Sequence, residues 1–306
     1  MHLVLPAVVL SFVSSIIAQK IVLTNDDGWA VAQIRAQFDA LTEANYDVIL
    51  SAPAENKSGT GSSTTTPEPR TEPCQFNSCP AGSPAEGANA TNPRFNYVNG
   101  FPVDSAKFGI QTLAPHFFNS APDFVVSGPN VGLNTELSVF GSGTVGAACE
   151  GAKEGIPSIA FSGQGSSAVS YTTLDSDPTS SSTLSALFNA NLTTIFMKAL
   201  SASTASPVLP SGVALNVNFP HLDASTCAQP SDVQWVFARA LPSLLPTDVN
   251  ICDNGGRLPV DETVVHAGCF ASVVVIDASW KIDVLGSTQR KVLDSLSHLD
   301  FACLPN

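Results

Sequence analysis

Apolar and polar positions alternate along this chain in two periods. The apolar run Ile21-Val22-Leu23 is broken by Asn25-Asp26-Asp27-Gly28, after which Ile34, Phe38 and Leu41 recur at helical spacing. A second apolar run, Val48-Ile49-Leu50, completes a predicted β–α–β start over residues 20–55. The rhythm returns at Phe124-Val125-Val126, which leads into the Gly/Asn loop SGPNVGLN. The stretch GSGTVGAACEGAKEG then predicts a loop and helix, and residues 158–161 a strand. A longer amphipathic helix is expected with Leu184, Leu187, Phe188, Ile195 and Phe196 on one side, followed by the strand VALNVNFP. Helices alternating with strands predict an α/β fold with an open, mostly parallel sheet, whose sites form at the carboxyl ends of strands.

Two segments depart from this rhythm. Residues 59–93 are rich in Ser, Thr, Pro and Gly with few large apolar residues, and predict a long surface insertion rather than a domain linker. From about residue 221, strand-like runs (VQWVFARAL, FASVVVIDASW) follow one another without helices until a terminal helix near STQRKVLDSLSHL. They predict a β-rich extension packed on the α/β core. The chain therefore divides into a leader at 1–18 and one domain at 19–306, with its core at about 20–220 and the extension at about 221–306.

Composition narrows the partners. Of 306 residues 44% are hydrophobic and 13% charged, enough apolar material for a sizeable core. Lys and Arg number 13 against 26 Asp and Glu, a net charge of −13 that repels a phosphate backbone. Nucleic-acid polymers are thereby excluded as partners, whereas small anions reached through a cation are not. The stretch MHLVLPAVVLSFVSSIIAQK is too interrupted, by Pro6, Ser11, Ser14 and Ser15, for a membrane anchor; it predicts a cleaved export signal ending at Ala18, hence a secreted protein and no membrane span. Cysteine usage agrees with an oxidising compartment. Of seven cysteines, Cys74 and Cys79 flank a short loop that suits a local disulfide. Cys227, Cys252, Cys269 and Cys303 allow two more in any of three pairings, and Cys149 is left as a buried thiol. Asn89-Ala90-Thr91, Asn191-Leu192-Thr193 and Asn56-Lys57-Ser58 are glycosylation sequons.

Four polar loops fall at predicted strand ends. Asp26 and Asp27 are adjacent carboxylates, which repel by roughly 4 kcal/mol at about 4 Å and an effective dielectric near 20. A hard divalent cation reverses that sign, although Asn-Asp-Asp-Gly is also ordinary turn chemistry. NKSGTGSS offers the Ser58 hydroxyl, and SGPNVGLN offers the amides of Asn130 and Asn134. GSGTVG places Ser142, Gly143 and Thr144 at the positive end of a helix, an anion site or simply an N-cap. Taken singly each loop has a structural explanation; together they suggest metal-assisted phosphoryl chemistry. The five histidines show no paired spacing, and no G-x-S-x-G elbow supports a serine esterase.

The ordered runs IVLTNDDG, SAPAENKSGTGSS, NGFPVDSAKFGI, DFVVSGPNVGLN, GSGTVGAACEGAKEGIPSIAFS and LNVNFP resemble the SurE family of metal-dependent phosphatases and nucleotidases across most of residues 20–220. The resemblance implies a Rossmann-like three-layer core with a C-terminal β-hairpin extension used in dimer or tetramer assembly. It implies that Asp26, Asp27, Ser58 and Asn130 bind a divalent metal ion, Mg²⁺ or Mn²⁺. Asn25 and Asn134 would line the same pocket, and Ser142, Gly143 and Thr144 would receive the phosphate. Asp27 and Asn134 are then the expected catalytic residues, acting on a small phosphate ester such as a nucleoside monophosphate. WAVAQIRAQF after the acidic turn, VFGSGTV in place of a tyrosine-led loop, and the cysteine-bearing insertion depart from the family pattern and bear on substrate preference. A non-catalytic secreted binding protein with the same fold is the competing expectation.

Overall fold

The computed structural model describes residues 18–165 and 167–305. The expected leader falls outside the described residues except for Ala18. Nine strands form one sheet: β1 (Lys20–Thr24), β2 (Asp47–Pro53), β3 (Glu86–Ala88), β4 (Phe95–Val98), β5 (Phe124–Val131), β6 (Ser158–Gly163), β7 (Val213–Phe219), β8 (Gln234–Ala238) and β9 (Phe270–Asp277). The helices are α1 (Ala32–Glu43), α2 (Pro102–Phe108), α3 (Ala114–Phe118), α4 (Ser138–Gly141), α5 (Gly143–Lys153), α6 (Thr173–Ser176), α7 (Ser181–Ser201), α8 (Asp261–His266) and α9 (Gly286–Ser295). A turn of wider helix, Gly109–Leu113, joins α2 to α3; the sequence reading passed over this whole helical connection.

Strand order is β3-β4-β2-β1-β5-β6-β7-β9-β8. β1 is paired in parallel with β2 on one side and β5 on the other. Succeeding strands are laid outward in both directions from it, which makes the carboxyl end of β1 a topological switch point. Side chains of β1 alternate between two cores. Ile21 and Leu23 pack with Ile34 and Phe38 of α1, while Val22 packs with Ile110 and Leu113 on the opposite face. The result is the expected three-layer α/β/α, Rossmann-like arrangement.

Four details of the sequence reading are corrected or completed. Leu184, Leu187 and Ile195 are 45%, 44% and 39% exposed, so they do not share a face with the buried Phe188 and Phe196 of α7. Ala186 and Ala190 of α7 meet Ala32 and Ala36 of α1, a close approach through small residues, while Phe188, Leu192 and Phe196 enter the main core. The expected hairpin extension is not formed by the two late strands. β9 adds antiparallel to β7 and β8 adds parallel to β9, with α8 between them in sequence, so both extend the main sheet. Pro242, Pro246 and Pro259 interrupt the segment between β8 and α8, which suits loops better than ladders. The insertion ends by contributing β3, antiparallel to β4, at the sheet edge.

The open cysteine question is resolved by proximity: Cys74–Cys79, Cys227–Cys269 and Cys252–Cys303 are bonded, and Cys149 is free and buried. Among the described residues no helix is long and apolar enough to cross a membrane.

Candidate functional site

The site begins where β1 stops. Asn25 turns its amide back on the chain: Gly28 N donates to Oδ1, and Nδ2 donates to the Gly28 carbonyl, each at 3.1 Å. This closes the turn and leaves Asp26 and Asp27 facing outward from the strand end. Gly28 takes φ +109°, and a Cβ there would lie 2.1 Å from Gln75 Oε1, so no other residue fits. Asn25 therefore shapes the acidic turn, with the second hydrogen of Nδ2 left unassigned by these two bonds.

Asp26 and Asp27 are each 2% exposed. Thr144, in the first turn of α5, donates its hydroxyl to Asp26 Oδ1. Burial raises the Asp26 pKa, opposed by that hydroxyl and by backbone amides of Thr144, Asp26 and Gly143. Val131 N donates to Asp27 Oδ2 at 2.9 Å. Burial first, and the Asp26 charge second, push Asp27 up to about 7. Neither carboxylate has a Lys, Arg or His partner among the described residues. A buried acid pair without a counter-charge is costly unless protonated or met by a cation.

The neighbouring loops supply neutral oxygens. The register of β5 against β6 shifts between Ser127 and Asn130, which aims Val131 N at Asp27. Asn130 Nδ2 donates to the Gly132 carbonyl at 2.8 Å, so its amide oxygen is the atom left for a ligand. Lys57 N donates to the Asp26 carbonyl at 2.7 Å and fixes the loop that carries Ser58 beside the acidic turn. Ser58 itself is exposed, and its backbone N–H is held by Asn56 Oδ1 at 2.7 Å. Two carboxylates, an amide oxygen and a hydroxyl form a hard-oxygen set that suits Mg²⁺ or Mn²⁺. No group of three or more His, Cys, Asp or Glu that could hold a metal occurs among the described residues.

The remaining expected residues fall into two roles. Ser142 caps α5, its Oγ accepting from Val145 N at 3.1 Å, which leaves the hydroxyl proton to donate outward. Gly143 lets α5 approach: a Cβ there would sit 2.8 Å from Asp26 Cβ. Asn134 is anchored through its backbone and one amide hydrogen, with Nδ2 donating to Ser162 Oγ at 2.7 Å and its N–H to Asn218 Oδ1 at 2.8 Å. Its carbonyl accepts from Asn216 Nδ2 and Asn218 Nδ2. Sequence reasoning missed the last two asparagines as individuals. The signal was in LNVNFP, where polar residues two apart on an otherwise apolar strand share one face. It also missed Gln75 and the Val131 amide, neither of which has a recognisable sequence mark.

A family model described as "Survival protein SurE" matches residues 21–238. An acid phosphatase of Yarrowia lipolytica is 33% identical over 289 residues, covering 85% of this chain and 79% of that protein. A 5'-nucleotidase SurE of Thermosynechococcus vestitus is 34% identical over 212 residues, covering 68% of this chain and 66% of its own length. Among solved structures, the SurE protein from Aquifex aeolicus aligns with a TM-score of 0.59 at 24% identity, over 90% of this chain and 99% of that one, a likeness of fold. By its acidic turn, its switch-point geometry and these matches, the chain belongs to the SurE family.

Proposed function

We propose that this protein is a metal-dependent phosphomonoesterase of the acid phosphatase and nucleotidase type, acting on nucleoside monophosphates or other small monoesters. Membership of a family whose relatives are named phosphatases and nucleotidases makes it a hydrolase of phosphomonoesters. The observation that carries the metal reading is the buried pair Asp26 and Asp27, held by Thr144 and Val131 and lacking any cationic side chain.

Asp26, Asp27, Ser58 and Asn130 would hold a Mg²⁺- or Mn²⁺-class ion, which when bound polarises a phosphate oxygen and acidifies a water for in-line attack. The chain's own residues do the rest. The N-terminus of α5 presents its positive end to the phosphate, and the Ser142 hydroxyl is the proton donor aimed outward from it. Thr144 spends its hydroxyl on Asp26 and so orients that carboxylate. Asn134, locked by Ser162, Asn216 and Asn218, sets the loop between the two halves of the site.

A secreted location is part of the proposal, supported by three disulfides and by the apolar N-terminal run. So is assembly as a dimer or tetramer, for which exposed Leu244, Leu245, Trp280 and Leu285 supply apolar surface.

The test is phosphate release from p-nitrophenyl phosphate and nucleoside monophosphates between pH 4 and 9, with Mg²⁺, with Mn²⁺ and with chelator. Release that is lost on chelation and restored by either ion supports the reading. Activity surviving both chelation and Asp27→Ala overturns the metal role, and no release from any ester favours a non-catalytic binding protein.

A further inference from the structure

The loop that runs from Asn130 to Ser142 has one end among the proposed metal ligands and the other at the phosphate loop. Along its middle lies a groove of about 500 Å³, lined by Leu133, Thr135, Leu137, Gln164, Glu262 and His266. Its floor is built into the sheet. Gly132 N donates to the Gly163 carbonyl at 3.0 Å, and Asn134, between Leu133 and Thr135, is bonded to Ser162 and Asn218. The groove therefore opens at the carboxyl ends of β5 and β6, the same end as the acidic pair.

The far wall is α8, and it is stitched to the loop. Thr135 donates its hydroxyl to Glu262 Oε2, and Glu136 N donates to Asp261 Oδ1 at 3.3 Å. Glu262 Oε1, not used in that contact, lies 3.5 Å from His266 Nδ1, and both side chains are about half exposed. Glu136 adds a second carboxylate to the lining, and Leu137, 72% exposed, adds an apolar face. Neither the acidic turn nor the phosphate loop uses any of these groups.

Resting on the phosphomonoesterase reading, we propose that this groove receives the leaving group of the ester, and that Glu262 and Glu136 select for a leaving group that is uncharged and rich in hydrogen-bond donors. A nucleoside has that chemistry: hydroxyl and amino donors for the carboxylates and a flat apolar base for Leu137. A leaving group bearing a second phosphate meets two carboxylates at close range and is disfavoured. Thr135 positions the Glu262 carboxylate and links it through the backbone to Asn134.

The experiment compares kcat and KM for a nucleoside monophosphate, a nucleoside bisphosphate and p-nitrophenyl phosphate, in the wild type, in Glu262→Gln and in Glu136→Gln/Glu262→Gln. Glu262→Gln keeps an acceptor for Thr135, and unchanged thermal unfolding verifies the fold. The wild type is expected to prefer the monophosphate over the bisphosphate by about tenfold or more, with the difference in KM and shrinking at high salt. The double variant should narrow that ratio about tenfold, with the change in the KM of the bisphosphate rather than in its kcat. A wild type that takes mono- and bisphosphate equally, or variants that leave the ratio unchanged while all three proteins release phosphate, overturns this inference alone. No release from any ester overturns the phosphomonoesterase reading and this inference with it.

Discussion

The backbone amide of Val131 donates to Asp27 Oδ2 at 2.9 Å, joining residues 104 positions apart in the chain. One oxygen of Asp27 is thereby fixed by β5, and the other is left for a cation. Replacing Asp27 by Asn removes the charge and keeps an oxygen for the Val131 amide. Turnover is expected to fall at least about a thousandfold through loss of the cation. The chelated protein should nonetheless be more stable than wild type at pH 8, by on the order of 1–3 kcal/mol, because a buried carboxylate without a counter-charge is removed. Thermal denaturation beside a phosphate-release assay checks both halves; a destabilised variant would contradict the geometry.

Thr144 acts through Asp26. Thr144→Val preserves its shape and deletes the hydroxyl that Asp26 accepts. The expected loss is about 10–100-fold in metal affinity or kcat, the usual cost of removing a group that orients a ligand. Thr144→Ser should restore most of it. Titration of Mn²⁺ by calorimetry separates the affinity effect from general damage.

Asp261 gives a pH dependence away from the acidic turn. Burial, opposed by the amides of Glu136 and Glu262, pushes its carboxyl up to about 7, and its Oδ2 has no partner. A carboxyl whose folded pKa lies above its unfolded value binds its proton more tightly when folded. Its contribution is therefore favourable at low pH and is lost as pH rises from about 4 to about 7. Asp261→Asn is expected to flatten that part of the stability curve and to raise the melting temperature at pH 8 relative to wild type, with little change at pH 4. Urea unfolding at pH 4, 6 and 8 measures it.

The insertion reaches the site through its disulfide. Gln75, next to Cys74, donates its N–H to the Ala54 carbonyl at 3.0 Å, and its Oε1 is pressed against Gly28. Arg70 bonds Glu55 Oε2 at 3.2 Å, three residues before Ser58. Cys74→Ser/Cys79→Ser should loosen this support, lowering stability by about 2 kcal/mol and weakening Mn²⁺ binding several-fold. Gln75→Ala in the oxidised protein should reproduce the metal effect without the full stability loss. Equal metal affinity in all three proteins would show that the insertion is only a surface excursion.

Much of this was legible in the sequence. Runs such as Ile21-Val22-Leu23 and Phe124-Val125-Val126 mark strands, because the two-residue alternation and the continuous apolar run are local properties. The residue types at the strand ends suggested oxygen ligands and an anion-binding helix start for the same reason, and the proposed function rests on that suggestion. The face of α7 was legible only in part: Phe188, Leu192 and Phe196 recur every four residues, but Ala186 and Ala190, which meet α1, are too small to leave a mark. The placement of β8 and β9 in the main sheet was hidden for a different reason: a strand such as β9 looks the same in sequence whether it pairs with β8 alone or also with β7.

By itself, then, the sequence determined the alternation of the central strands and helices, the acidic turn and the kind of chemistry those residues permit, all of which follow from side chains within a few positions of one another. Only the tertiary structure decided that Val131 serves Asp27, that Thr144 serves Asp26, that Asn25 is spent on its own turn, and that Cys227 bonds Cys269 and Cys252 bonds Cys303. All but the Asn25 contact join positions roughly 40 to 120 residues apart, and no local pattern encodes them. The contacts to Asp26 and Asp27 are selected when packing buries two carboxylates at the switch point, where donors from distant segments replace the water they lose.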